Sequence, residues 1–501
     1  MPADMLSNPR CTAEHLGLPM PDSSHAVSAC LPTWATNVGY EEGDPAVVDH
    51  LQAAYPRFCL HPLVRQVNHR VLGGEYAGLV FPSARVAQRA ADYVAARGGN
   101  TCRLEPIPES DYVGVIPAEG DFARLKEYWQ HAGEVLSSRA ATRLLKGSSP
   151  TVTETAARGT IRQRLALLAG TSVEDVRLCG SGMAAVHLAW RCVRRLFPAE
   201  PSVQFGFPYV DTLKIQERFP PSAHRFFPTG NPQELDELRT LVRKTPLSAV
   251  FCETPTNPLL RCPDLAALRA LADEAGFLLI VDDTLGACLN LNVLPFADIV
   301  VTSLTKYFSG YGGVLAGSAV VNPSGRHAAA LRQALEAEFE ELLCDDDAEV
   351  LCQNSNDLER RVCQINSNAD LIAARLAAHP AVAQVFHPSI HAEHSYQQLK
   401  RSSTSGNGGL MSIVLHDAAN RTPAVFDQLR VCKGPNLGTS FTLCCPYTIL
   451  AHYTELDAVE QCGVSRWLLR ISVGIEPVEE LWQRFATALS STPGEIVPLT
   501  N

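Results

Sequence analysis

At 501 residues and 54.3 kDa the chain is too long for one small module. At about 150 residues per domain it makes roughly three units, which large α/β folds often merge. With 46% apolar and 19% charged residues it can bury a sizeable core, which excludes a largely disordered chain. The net charge of −11 argues against nucleic acid or an anionic membrane as the main partner, while leaving room for a local basic pocket that takes a small anion.

The 16 cysteines are scattered with no C-x-x-C pair, the spacing of zinc and redox sites, and adjacent Cys444 and Cys445 are poorly placed to bond to each other. Reduced, mostly buried thiols in a cytoplasmic protein are expected. Met1–Arg10 carries Asp4 and no apolar run, unlike a signal peptide. The longest apolar stretches, such as Phe277–Val281, are far short of the ~20 residues that span a bilayer. The closing Pro498-Leu-Thr-Asn501 carries no lipidation or retention signal. His187, His416 and His452 stand singly without metal spacing; they are read as packing or surface residues, and no metal site is expected.

In chain order, the first hundred or so residues are weakly periodic and broken by prolines from Pro2 to Pro62. Short helices are expected at Ala46–Ala54 and Ser83–Ala96, in an N-terminal extension with its own structure. From about Ser172 the pattern changes to strand, helix, strand. Val176–Cys179 leads into Gly180-Ser-Gly182 and an apolar helix from about Met183 to Leu196. Val203–Phe207 and Ser248–Cys252 read as strands. Asp264 caps a helix that Gly276 closes. Phe277–Val281, Asp298–Thr302 and Gly317–Val321 read as buried strands. Continuous apolar runs alternating with helices predict a mostly parallel sheet covered on both faces, with ligands beyond the carboxyl ends of its strands. Asp345–Asp347 is expected to be a solvated loop. Cys352–Ala378 reads as a long helix with Leu358, Val362, Ile365 and Leu371 on its apolar face. Strands Met411–Leu415, Phe441–Cys444 and Leu468–Val473 and a helix Val478–Leu489 then suggest a smaller α+β unit. The expected division is 1–125 extension, 126–345 large domain and 346–501 small domain.

Four polar groups fall at the predicted strand ends. Gly180-Ser-Gly-Met183 sits between a strand and a helix N-terminus, where backbone N–H groups and the helix dipole hold a phosphate. It also spells G-x-G-x-x-A, but a dinucleotide site needs an acid ending the next strand, and Val203–Phe207 lacks one. A tight turn that binds nothing is the plainer alternative. Asp282 and Asp283 end a buried run, where a carboxylate is costly without a cationic partner; a helix cap or a pair with an arginine would also serve. Lys306 follows the strand Asp298–Thr302, and a lysine partly desolvated there suits Schiff-base chemistry. Ser303-Leu-Thr-Lys306 also matches the S-x-x-K of serine acyl-enzymes, but the K-T-G and S-D-N elements that accompany it are missing. A phosphate cradle, an acid and a lysine on successive strands match the three handles of pyridoxal phosphate.

Glu253-Thr-Pro-Thr-Asn257-Pro, Val281-Asp282-Asp-Thr284, Thr302-Ser-Leu-Thr-Lys306 and Leu469-Arg470-Ile-Ser-Val-Gly-Ile-Glu476 follow one another in that order. On these motifs the chain, from about Lys126 to Ala488, resembles the Cys/Met-metabolism family of pyridoxal-phosphate enzymes, the cystathionine γ-synthase group, and its extension resembles that of the fungal synthases. It implies an aspartate-aminotransferase-like, fold type I architecture with pyridoxal 5'-phosphate held by Lys306 as an internal aldimine. Asp282 would pair with the ring nitrogen, and Thr284 lies in the same cofactor-binding motif. Gly182 and Met183 amides with Ser303 and Thr305 hydroxyls would bind the phosphate, Tyr209 would stack on the ring, and Asn257 would bond its phenolic oxygen. Lys306, Tyr209 and Asp282 are thus the expected catalytic residues. Arg470 would clamp the substrate carboxylate, with Tyr209 and Thr442 nearby. Arg139 matches an arginine given to a neighbouring subunit's phosphate, which implies a homodimer or homotetramer.

Departures fall on the substrate side. The family's usual tyrosine is Ser137, its Asp-Asn-Thr is Asp282-Asp283-Thr284, and the acid before the substrate-binding position is Phe441. After the lysine stands Ser309-Gly-Tyr311-Gly-Gly313. The resemblance therefore implies γ-replacement on an O-acylated homoserine such as O-acetylhomoserine, through a vinylglycine ketimine. The nucleophile would be a thiol, as in trans-sulfuration, or a carbon nucleophile of specialised-metabolite biosynthesis. A γ-lyase releasing 2-oxobutyrate and a non-catalytic cofactor-binding paralogue are the alternatives.

Overall fold

Proline punctuation breaks the N-terminal extension into short pieces, yet three of these pair: Leu79–Phe81 (β1), Arg103–Pro106 (β2) and Val113–Ile116 (β3) form an antiparallel sheet in the order β1-β3-β2. The computed structural model describes residues 4–490 except 54, 56–58, 221–222 and 392–393. Ala54 of the first expected helix, Met1 to Ala3 and the closing Pro498–Asn501 segment lie outside the described residues. The first helix shortens to Pro45–Val48, with Asp44 as its cap. The second forms over Ala84–Ala96, where Ser83 Oγ accepts from Val86 N.

The extension has its own sheet but shares its core. Val86, Ala90, Leu125 and Trp129 pack in one apolar cluster with Ala185 and Leu188 and with Phe251 and Ile280. Its residues 4–40 run over the C-terminal unit. There Leu31 N donates to Lys433 O (3.0 Å), Lys433 Nζ donates to Pro32 O (2.8 Å), and Trp34 stacks on Trp467 with ring centroids 5.5 Å apart.

The central sheet has seven strands: Val176–Cys179 (β4), Ser202–Phe205 (β5), His224–Phe227 (β6), Ala249–Glu253 (β7), Leu278–Asp282 (β8), Ile299–Ser303 (β9) and Gly317–Val321 (β10). Their order is β4-β10-β9-β8-β7-β5-β6, and β10 runs antiparallel to both neighbours while the other pairs are parallel. This is the α/β, mostly parallel architecture expected. The edge strand β6 was not, because His224-Arg-Phe-Phe227 is only half-buried and lacks a continuous apolar run. Helices cover the sheet. The helix Gly182–Leu196 buries Val186, Leu188 and Val193 against it, and Leu265–Ala275 runs between the Asp264 cap and Gly276 at φ +85°.

The expected helix Cys352–Ala378 divides into Asp345–Asn354, a 3₁₀ turn at Ser355–Asp357, and Leu358–Ala377. Leu371 is 45% exposed; after Ile365 the buried stripe continues through Ala369, Ile372, Ala373 and Leu376, which keeps the helical period that Leu371 breaks. Asp345–Asp347 is not a solvated loop. It opens a helix, where acids complement the dipole, and it pairs with Arg158, Arg143 and Arg139 respectively. A second sheet follows: Val382–Phe386 (β11), Leu410–Leu415 (β12), Cys432–Lys433 (β13), Leu443–Pro446 (β14) and Leu469–Ser472 (β15), in the order β11-β12-β15-β14-β13. Among the described residues no helix is long and apolar enough to cross a membrane.

Candidate active site

Three polar residues close the carboxyl ends of adjacent parallel strands: Glu253 on β7, Asp282 on β8 and Ser303 on β9. The register sets Asp282 beside Glu253 on one side and Val301 on the other. They open into a cavity of about 110 Å³. Its lining includes ten of the expected site residues: Gly182, Met183, Tyr209, Asn257, Asp282, Thr284, Ser303, Thr305, Lys306 and Arg470. Asp282 Oδ1 accepts from Thr284 N (2.8 Å), and Thr284 Oγ1 accepts from Ser303 N (2.8 Å), so one threonine ties the acid to the next strand. At the facing helix, Ser181 caps the N-terminus: its Oγ accepts from Ala184 N (3.0 Å) and donates to Gly133 O (2.7 Å). Gly182 has to be glycine, since a Cβ there would lie 2.6 Å from Ser303 Cβ.

Lys306 is buried, and its Nζ donates to Asn436 Oδ1 (2.6 Å). The ring centroid of Tyr55 lies 4.3 Å from the same nitrogen. Arg470, on β15, is also buried; it donates to Asn257 Oδ1 (3.3 Å) and to Pro435 O, and lies over the Tyr447 ring at 4.8 Å. These acceptors are neutral, and among the described residues no carboxylate lies within salt-bridge distance of Arg470. Burial raises the Asp282 carboxyl above its ordinary range, against the lowering effect of the Thr284 bonds. Glu253 is pushed well above, by burial first and by the Asp282 charge second. The site therefore offers a nucleophilic amine, an unneutralised guanidinium, a helix N-terminus beside hydroxyls, and two protonatable acids on one wall.

Two expected residues lie elsewhere. Thr442 does not reach the cavity: its Oγ1 donates to Glu476 Oε2 (2.8 Å) and accepts from Gly474 N (3.0 Å), so it locks the loop after β15. Arg139 borders a second, smaller cavity, donating to Asp347 Oδ1 (2.9 Å) and Gly313 O (2.8 Å); Ser137 caps the helix Ser138–Leu145 that carries it. Three neighbours of the reactive groups were not foreseen. Asn436 sits in Gly434-Pro-Asn-Leu-Gly438, which reads as a turn; Glu253 opens the Glu253-Thr-Pro-Thr-Asn257-Pro motif, where the resemblance assigns it no role; Tyr55 lies in the weakly periodic extension. Among the histidines, His187 is buried in an ion network of Glu134, Arg89 and Arg191, where desolvation lowers its pKa to about 4. His452 bonds Glu455 (2.8 Å), and His416 is exposed.

Residues 150–490 match the model of the Cys/Met metabolism PLP-dependent enzyme family. The chain belongs to this family. Cystathionine gamma-synthase of Neurospora crassa is 33% identical over 95% of this chain and 98% of its own. The cystathionine gamma-synthase-like enzyme iboG1 of Amanita muscaria is 33% identical over 95% and 97%. Among solved structures, cystathionine gamma synthase from Xanthomonas oryzae in complex with aminoacrylate and cysteine superposes with a TM-score of 0.58 at 25% identity, over 67% of this chain and 86% of that one. The family cofactor, pyridoxal phosphate, fits the residues present. Its aldehyde has an amine in Lys306, its ring nitrogen has an acid in Asp282 whose burial is costly without a cation, and its phosphate has the Gly182 cradle. As a member of this family the protein is a PLP-dependent enzyme.

Proposed function

We propose that the protein performs γ-substitution on an O-acylated homoserine, joining the four-carbon amino-acid fragment to a thiol or a carbon nucleophile. The observation that carries this reading is Arg470: a buried guanidinium without a carboxylate partner among the described residues, in the same cavity as Lys306. A buried cation is costly until an anion meets it, and the substrate carboxylate supplies one in a bidentate fork. Pyridoxal phosphate, when bound, supplies an electron sink for negative charge at the substrate carbons. Lys306 Nζ is the group placed to take the α-proton and return protons along the chain, with Asn436 Oδ1 as its acceptor. Tyr209 and Asn257 line the same cavity from the strand-end loops. Much of the remaining wall is apolar, with Trp129, Leu315, Leu437, Tyr447 and Leu450, which limits water there and suits an uncharged carbon nucleophile as well as a thiol.

Arg139 is part of the same proposal. In this chain it leaves the cavity to Asp347, and the family resemblance assigns it to a neighbouring copy's phosphate, so the working enzyme is proposed to be a homo-oligomer. Location in the cytoplasm is proposed on the unbridged, mostly buried cysteines. The test is mass spectrometry of products from the purified enzyme with O-acetylhomoserine, cysteine and carbon nucleophiles such as acetoacetate in one pot. A cystathionine or carbon–carbon adduct supports the reading and names the nucleophile. Release of 2-oxobutyrate with no adduct would make the protein a γ-lyase instead.

A further inference from the structure

The family match begins at residue 150, so it assigns no role to Tyr55. Yet Tyr55 lines the central cavity, with its ring centroid 4.3 Å from Lys306 Nζ. The fold brings it there through its neighbours in sequence. Leu51 and Ala53 are buried in the main core, and Gln52 N donates to Gly17 O (2.9 Å). Gly17 N in turn donates to Cys30 O (2.9 Å), beside the Leu31–Lys433 bond that holds the extension to the C-terminal unit. A small void lined by Leu31, Leu51, Ala53, Tyr55, Pro435 and Leu450 shares the last three of these residues with the wall of the central cavity. The extension is thus built into the wall of the site.

We propose that Tyr55 is a positioning residue: its ring face and Asn436 Oδ1 together hold the Lys306 ammonium in place. The negative face of an aromatic ring attracts a cation, and a carbonyl oxygen accepts from it. Both contacts favour the protonated amine, the form that hands protons back to the substrate. The inference rests on the reading of Lys306 as the reactive lysine. Among the described residues, the other titratable groups lining the cavity are Glu253, Asp282, Tyr209, Tyr447, Cys445 and Arg470, and neither variant alters any of them.

The test compares full-length wild type, Tyr55→Phe and Tyr55→Leu, stripped of cofactor. Trace acetylation with acetic anhydride across pH, read at the Lys306 peptide by mass spectrometry, gives the titration midpoint of that amine. Tyr55→Leu is expected to lower the midpoint by about half to one pH unit, the size of an ordinary cation–π contact, and Tyr55→Phe to leave it in place. In the loaded enzyme kcat falls several-fold in Tyr55→Leu with KM little changed. A Tyr55→Leu midpoint equal to wild type overturns the proposal. A second measurement uses unaltered protein, so it survives a variant that fails to fold. Bound cofactor should protect Tyr55 from tetranitromethane, while Tyr76, 59% exposed, reacts in both states. Equal nitration of Tyr55 with and without cofactor overturns the proposal as well. Neither acetylation nor nitration depends on which product the enzyme makes, so failure here and failure of γ-substitution are distinguishable.

Discussion

Glu253 and Asp282 stand side by side on β7 and β8 with burial raising the proton affinity of both, and among the described residues no cation lies within salt-bridge distance of either. A carboxyl raised in the folded state contributes stability that is fully present below the ordinary carboxylate range, about pH 4 to 5, and is lost as pH rises through the raised value. The cofactor-free protein should therefore lose stability as pH climbs above that range, by at most about 1.4 kcal/mol per pH unit for each such group. Glu253→Gln should flatten the loss; melting temperatures across pH check it, and an unchanged slope would show that this acid is not the strained one. Asp282 was legible in the sequence because a charge ending a run of five apolar residues needs a reason. Asn436 was not, because Gly-Pro-Asn is also what an ordinary turn looks like, and only the fold shows that this turn ends at a lysine 130 positions away.

The elements were legible where burial is two-sided. β7, β8 and β9 are largely apolar runs, and their alternation with helices is enough to predict a mostly parallel sheet with chemistry at its carboxyl ends; that β10 runs antiparallel was not legible in the run itself. β6 and the small sheet of the extension were not, because edge and surface strands mix polar and apolar residues, as Arg103-Leu-Glu-Pro106 does. Thr442 was misplaced for a similar reason: a hydroxyl next to a strand serves a loop as readily as a substrate, and here Glu476 takes it. The junction of the helix Gly182–Leu196 with β9 offers a test at this scale. A Cβ at Gly182 meets Ser303 Cβ at 2.6 Å, so Gly182→Ala should push the helix N-terminus off its cradle. Affinity for pyridoxal phosphate, followed by absorbance titration, should fall at least about tenfold, the loss of one or two charge-assisted bonds. An unchanged Kd would mean the phosphate is held elsewhere.

Across the whole molecule the N-terminal extension joins what the sequence separates. Its sheet shares an apolar cluster with the large sheet's helix layer, its residues 4–40 lie on the C-terminal unit, and Tyr55 reaches the cavity. A buried lysine, Lys433, marks the seam: its Nζ is held by Pro32 O and Asp427 O, and burial lowers its pKa. None of this was legible from periodicity, because a chain that wraps other elements carries no repeat of its own. The wrap makes the cavity a property of the full chain, with Lys306 at its centre. Whether Lys306 carries the cofactor is decided by reducing the purified full-length enzyme with borohydride and mapping the adduct by mass spectrometry. A pyridoxyl group is expected on Lys306, and no adduct at another lysine in Lys306→Ala. A protein with no reducible adduct, or one whose adduct maps to another lysine, would contradict that assignment.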